Sequence, residues 1–236
     1  MENQTPNTNP TPGPDQDPNS GSDYKTIDAY LLGLSIAINN SSHAEIAPAL
    51  LAFGYSPTEM AVGTDLLTHA VDKHQTQVRE YGDQYRATDD LHLKIALAKD
   101  IYLKHLGVAR VAFKKERGIL AEINASGSRK QTISGWLSQA KTFYKNILER
   151  TELKAGMAKF GQTEAILNLA YDKLKLVDTA ISKQQKETGE AQTATRNRDK
   201  ALDELALWSD DYIDIARIAL KDNPHLLEIL GLKQVA

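Results

Sequence analysis

The sequence predicts an all-α fold: a helical bundle built from two tandem copies of a unit in which a leading helix precedes a long helical hairpin. Three observations point there. After position 23 proline nearly disappears, with only Pro48, Pro57 and Pro224 remaining. Apolar residues recur at steps of three and four, and no stretch sustains the period-two alternation of a strand. The chain also matches itself at one constant offset, which lays Phe53 over Phe160.

Residues 1–23 hold five of the eight prolines and, apart from Met1, no large apolar residue. Such a segment cannot bury enough surface to offset its ordering entropy, so residues 1–23 read as a disordered polar tail. From Tyr24 the composition turns to Ala, Leu, Lys, Glu, Asp and Gln, which are mostly good helix formers. A leading helix is expected over about residues 25–40. A start signal follows at Ser56, Pro57 and Glu59: an N-capping hydroxyl, proline in the first turn, and a carboxylate at the third position after the cap. The apolar series then runs Met60, Leu67, Val71, His74, Val78, Tyr81, Tyr85, and continues Ile95, Tyr102, Leu106, Ala109, Phe113.

Residues 124–132 are small and polar and read as a linker loop between repeat 1 (24–123) and repeat 2 (133–236). A second leading helix is expected at 133–150, and Thr163 with Glu164 gives a weaker start signal. The second half repeats the helical period at Leu167, Ala170, Leu174, Val177, Ile181, and again at Leu202, Leu205, Tyr212, Ile215. Asp222, Asn223 and Pro224 end one helix and open a last short one. The two repeats are expected to pack as one domain.

The self-match holds one register throughout. Phe53 and Gly54 lie over Phe160 and Gly161, Asp65 and Leu67 over Asp172 and Leu174, and Gln77, Glu80 and Gly82 over Gln184, Glu187 and Gly189. Ala109, Arg110, Ala112 and Lys114 lie over Ala216, Arg217, Ala219 and Lys221. Across residues 46–120 there are 14 identities in 75 positions, where this composition gives about 5 by chance. Gly82 and Gly189 sit in polar stretches, and glycine costs about 1 kcal/mol inside a helix. A reversal is therefore expected within 82–90 and 189–197, giving arms of about 25 residues, or roughly 38 Å. The alternative is one unbroken helix of about 57 residues per copy. It draws on the near-continuous heptad phase through Tyr81, Tyr85 and Thr88.

Composition narrows the function. With no cysteine, disulfides, thiolate metal sites and a cysteine nucleophile are excluded. A formal charge of -3 is unlike a nucleic-acid-binding domain. The most apolar stretch, residues 29–38, is about half of the ~20 residues a bilayer span requires. The opening residues lack the pattern of a secretory leader and no lipidation signal is visible, so the cytoplasm is the expected compartment.

The stretch 216–231, ARIALKDNPHLLEILG, resembles the ending of a family of bacterial all-helical proteins with two related halves and no assigned function. Residues 135–144, GWLSQAKTFY, resemble the block that opens that family's second half. The resemblance implies the fold and a cytoplasmic bacterial setting, and offers no catalytic residues to carry over.

Candidate chemistry is sparse. Asp65, His69 and Asp72 share a helix face at metal-ligand spacing. In the other copy, however, only the aspartate recurs, and the Glu-x-x-His pattern of di-metal bundles is absent. The histidines (His43, His69, His74, His92, His105, His225) accompany no nucleophile motif, and His105 is expected to pack in the interior. Residues 127–130, GSRK, form a basic loop with no phosphate-binding glycine fingerprint. Arg110 and Arg217 are expected to make ion pairs across the bundle, and Trp136 and Trp208 to fill the core. The polar stretches 75–90 and 182–200 are expected at the exposed tips of the hairpins. No catalytic, cofactor-binding or metal-ligating residue is assigned.

The function expected is a non-enzymatic helical scaffold or protein–protein interaction protein, with a protein partner or self-association, no nucleic acid and no membrane span. The alternatives are a membrane-active helical protein and a metal- or ligand-dependent helical enzyme. Residues 124–236 net +2 and the remainder -5, an asymmetry that suits head-to-tail association.

Overall fold

A computed structural model describes residues 26–232, so the polar tail falls outside the described residues. Among the described residues the chain is all-α, with eight helices and no strand. They are α1 (Ile27–Asn40), α2 (Ile46–Leu51), α3 (Pro57–Ala112), α4 (Arg117–Glu122), α5 (Ile133–Glu149), α6 (Thr151–Ala158), α7 (Glu164–Ala219) and α8 (His225–Ile229). No helix among the described residues is long and apolar enough to cross a membrane.

The expected start signals work as caps. Ser56 Oγ accepts from Glu59 N at 3.3 Å, and Thr163 Oγ1 from Ile166 N at 3.4 Å. Thr26 and Thr132 cap the two leading helices, accepting from Ala29 N and Gly135 N at 3.2 Å each. Each cap satisfies an amide that the first turn leaves without a partner.

The hairpins do not form. α3 and α7 are each one helix of 56 residues, about 84 Å at 1.5 Å per residue. Gly82 and Gly189 are absorbed without positive φ. The polar residues that suggested loops bond back into the helix. Thr88 Oγ1 donates to Gln84 O at 2.9 Å, Thr188 Oγ1 to Gln184 O at 2.8 Å, and Thr195 Oγ1 to Ala191 O at 2.9 Å. The small residues Ala87, Ala191 and Ala194 are buried. A single glycine's cost is modest against continuous hydrogen bonding and burial, so the stretches 82–90 and 189–197 are mid-helix rather than tips.

Local geometry recurs along the chain at the offset of the self-match. Pro57 and Glu164 begin the long helices, Ala112 and Ala219 end them, and each pair is separated by the same interval as Phe53 and Phe160. Gly54 and Gly161 take positive φ of 92° and 76°, where L side chains are strained. They let Tyr55 N reach Leu50 O at 3.1 Å and Gln162 N reach Met157 O at 3.2 Å, closing α2 and α6 in the same way. After α4 and α8, Asn124 and Gly231 are also left-handed, and Ala125 N and Leu232 N return to Leu120 O and Leu227 O.

The chain divides into two compact units, residues 1–81 with 190–236, and residues 82–189. These units cut across the sequence halves. In unit one, α1, α2 and α8 pack on the end of α7 around Ala37, Ile46, Leu50, Tyr212, Ala216 and Leu230. A second cluster joins Leu31 and Leu34 to Ala70, Ala201 and Leu205. Tyr212 OH donates to Ala37 O at 2.9 Å, and Asn40 Nδ2 to Ile229 O at 2.6 Å.

Unit two collects the end of α3, the start of α7, and α4, α5 and α6 around Tyr102, Leu106, Phe113, Phe143, Tyr144, Ile147, Leu153 and Leu174. There Asn146 Nδ2 donates to Glu122 O at 2.7 Å, the counterpart of the Asn40 contact. In both units the end of a long helix from one half is covered by the leading helix of the other.

Candidate interaction faces

The last turns of α7 present an unusual solvent face. At about 100° per residue, Asp203, Leu207, Asp210, Asp211, Asp214 and Ile218 fall on one side of the helix, and all are exposed. Leu207 is 75% exposed and Ile218 57%. The corresponding positions of the first half lie on α3 in unit two. There Leu93 (59%), Leu97 (50%) and Val111 (55%) share an exposed side of the helix with Asp100 and Lys104. Single exposed leucines are ordinary; here several exposed aliphatic residues share one charged helix face.

The charges of the two units are opposite. The described part of unit one carries 7 Lys and Arg against 15 Asp and Glu, and unit two carries 19 against 12. Residues 93–117 hold seven basic and two acidic side chains, whereas the corresponding residues 200–224 hold three and six. Lys114, Lys115, Arg117, Arg129 and Lys130 are exposed at one end of unit two and make no ion pair among the described residues. Lys104 is paired with Asp100 at 2.7 Å.

Beneath this surface the polar groups are structural. His105 Nδ1 lies 2.9 Å from Tyr144 OH, with both side chains buried. Burial holds the imidazole below its usual 6.5, an effect partly offset by a hydrogen bond with Gln162. Burial likewise pushes the Tyr144 and Tyr212 phenols upward, so both stay neutral. Tyr102 OH and Trp136 Nε1 are buried without a partner among the described residues. In unit one Ser209, which corresponds to Tyr102, shares a hydrogen bond with Tyr30 at 3.0 Å. A groove of about 620 Å³ runs between α5 and α7, lined by Ser138, Lys141, Lys145, Tyr171 and Asp178, and the Lys141–Asp178 ion pair at 2.6 Å crosses it.

The structure separates the residues singled out for metal binding. Asp65, His69 and Asp72 stand exposed along α3, and Asp72 pairs with Lys73 at 3.3 Å. His43, His92 and His225 are exposed, while His74 is buried with Nε2 at 3.2 Å from Asp28. The arginines do not pair across the bundle. Arg110 donates to the carbonyls of Ala125 and Gly127 at 2.9 and 3.4 Å, so its fork holds the loop at 124–127. Arg217 pairs with Asp214 on its own helix at 3.2 Å.

Within the GSRK loop, Lys130 N donates to Gln139 Oε1 at 3.2 Å. Trp136 is buried, as expected of a core filler. Trp208 is only half-buried and its indole donates to Glu59 at 2.9 Å. Sequence reasoning missed the Leu207–Ile218 face. The grouping of Asp203, Asp210, Asp211 and Asp214 with Leu207 at helical spacing was the available signal.

Comparison with protein-family models, curated proteins and solved structures gives no match for this chain.

Proposed function

We propose that this chain is a non-enzymatic helical scaffold that acts through protein–protein contact, and that it arose by tandem copying of one helical unit. Cytoplasmic residence and kinship with the bacterial two-halved family are parts of the same proposal. The carrying observation is the pair of exposed aliphatic faces, one in each unit, set among charges of opposite sign. A helix face that keeps Leu207 and Ile218 in water has not spent them on its own core.

Tandem copying is supported by the constant offset shared by the helix bounds and the Phe-Gly turns. The paired Asn40 and Asn146 contacts, which recur one position out of that step, support it further. The cysteine-free composition suits a reducing compartment.

The test is native mass by light scattering, together with chemical cross-linking and co-purification. Intact chain is compared with Leu207→Asp and Leu97→Asp variants. Complexes that weaken in the variants while thermal unfolding stays unchanged support the proposal. A lone monomer that captures no protein by any of these methods sinks it.

A further inference from the structure

We infer that the partner of these faces is a second copy of the chain, bound head to tail: the α7 face of one copy lies against the α3 face of the next. This rests on the scaffold reading above and names its partner. The two faces overlap at one corresponding pair, Val111 and Ile218, which are exposed to nearly the same degree. Both carry exposed aliphatic residues, and the segments around them differ in sign. Residues 200–224 are acidic by three charges and 93–117 basic by five. One chain thus carries both members of a complementary pair, whereas binding an unrelated protein would require only one of them.

Charge also decides the symmetry of the contact. Placing the α7 face on itself would bring Asp203, Asp210, Asp211 and Asp214 against the same four carboxylates. Placing the α3 face on itself would bring together two copies of the 93–117 segment, each basic by five charges. Like charges at that range are repulsive, so a two-fold contact through either face is disfavoured. A contact between unlike faces remains. Such a contact is heterologous, and each added copy presents a fresh face, so assembly continues into rings or open chains. The aliphatic groups supply the burial, and the charges supply orientation and register.

The experiment uses the full chain in sedimentation equilibrium, over concentrations from micromolar to near-millimolar and at low and high salt. Leu207→Lys with Asp211→Lys blocks the α7 face, and Leu93→Asp with Leu97→Asp blocks the α3 face. All four positions are exposed, and circular dichroism melting checks that folding is unchanged. The expected result is a wild-type mass that grows past a dimer with concentration. Its apparent affinity falls roughly tenfold or more when salt screens the charges. Each blocked variant alone is expected to be monomeric, and their equimolar mixture to stop at a 1:1 dimer.

A monomeric wild type at low salt overturns the inference, as does a mixture of blocked variants that fails to pair. If the monomer instead captures another protein through Leu207 or Leu97, the scaffold reading survives without the self-assembly. If it captures nothing, both fall.

Discussion

Replacing Gly63 with alanine sets two known effects against each other, and the surroundings of Trp208 decide which wins. A Cβ at Gly63 would lie 2.1 Å from the indole Cη2 of Trp208, about 1.4 Å inside ordinary carbon contact of ~3.5 Å. The ring is not free to retreat. Its Nε1 donates to Glu59, it stacks on Tyr212 at 5.1 Å and 15°, and Tyr55 meets it edge-on at 6.1 Å. Overpacking of this kind costs about 1–3 kcal/mol, while alanine gains about 1 kcal/mol over glycine in a helix interior.

Three ring atoms lie within 2.6 Å of that Cβ, which places the overpacking at about 2–3 kcal/mol. The expected net loss is therefore about 1–2 kcal/mol, seen as a fall of roughly 2–8 °C in the unfolding midpoint by far-ultraviolet circular dichroism. The matching positions of the other half suggest the rescue. Ala170 corresponds to Gly63 and Ile101 to Trp208, so the small residue grows where the large one shrinks. In a Trp208→Ile background Gly63→Ala should therefore be neutral or mildly stabilising, a coupling of about 2 kcal/mol. A higher midpoint for Gly63→Ala alone, or equal losses in both backgrounds, would refute the reasoning.

Other outcomes follow from the same geometry. Gly54→Ala and Gly161→Ala should each cost about 1–2 kcal/mol, because both residues hold positive φ where alanine is strained. The two losses should add in a double variant, since the sites lie in different units, and non-additive midpoints would count against that. Asn40→Ala should destabilise by about 1 kcal/mol by orphaning Ile229 O, and more than Asn146→Ala, whose bond to Glu122 O is exposed; urea titration of both would show a reversed order if the assignment is wrong. His105 binds protons less readily in the folded chain than when unfolded. Its contribution is therefore intact above pH 6.5 and is lost as pH falls below that value toward the depressed folded pKa. Wild type should lose midpoint over that acid window more steeply than His105→Gln, and parallel profiles would remove His105 as the cause.

Where the sequence was legible, one physical signal dominated. Caps such as Ser56 and Thr163 are local chemistry, and they appear in the structure as the hydrogen bonds expected of them. Buried stripes were legible wherever period and residue size agreed, as in Tyr102, Leu106, Ala109 and Phe113. Val78 and Tyr85 fit the same period and are exposed, because in the middle of α3 the buried places are taken by Gln77, Tyr81 and Ala87. Periodicity finds a face only when enough apolar residues mark it, and there polar Gln77 sits inside while Val78 sits outside. The hairpin error had the same source. A glycine in a polar run looks like a turn, yet nothing near Gly82 or Gly189 demands a left-handed backbone, unlike Gly54 and Gly161.

What the sequence could not display was the exchange of partners between halves. A self-match reports which residues correspond, not which of them touch. At corresponding places His105 meets Tyr144 and Tyr212 meets Ala37, so in both pairs one residue comes from each half. A half taken alone would leave the end of its long helix without the leading helix that covers it. Tyr102, Leu106 and Phe113 would then face water until α5 and α6 of the other half arrived. The energetic unit is therefore the crossed pair rather than either half of the sequence. That crossing explains why size changes are compensated between positions from different halves. Gly156 in the second half makes room for Phe113 in the first, where an added Cβ would lie 2.5 Å from the ring. The corresponding pair, Ala49 and Leu220, joins the larger small residue to the smaller large one within the unit-one core.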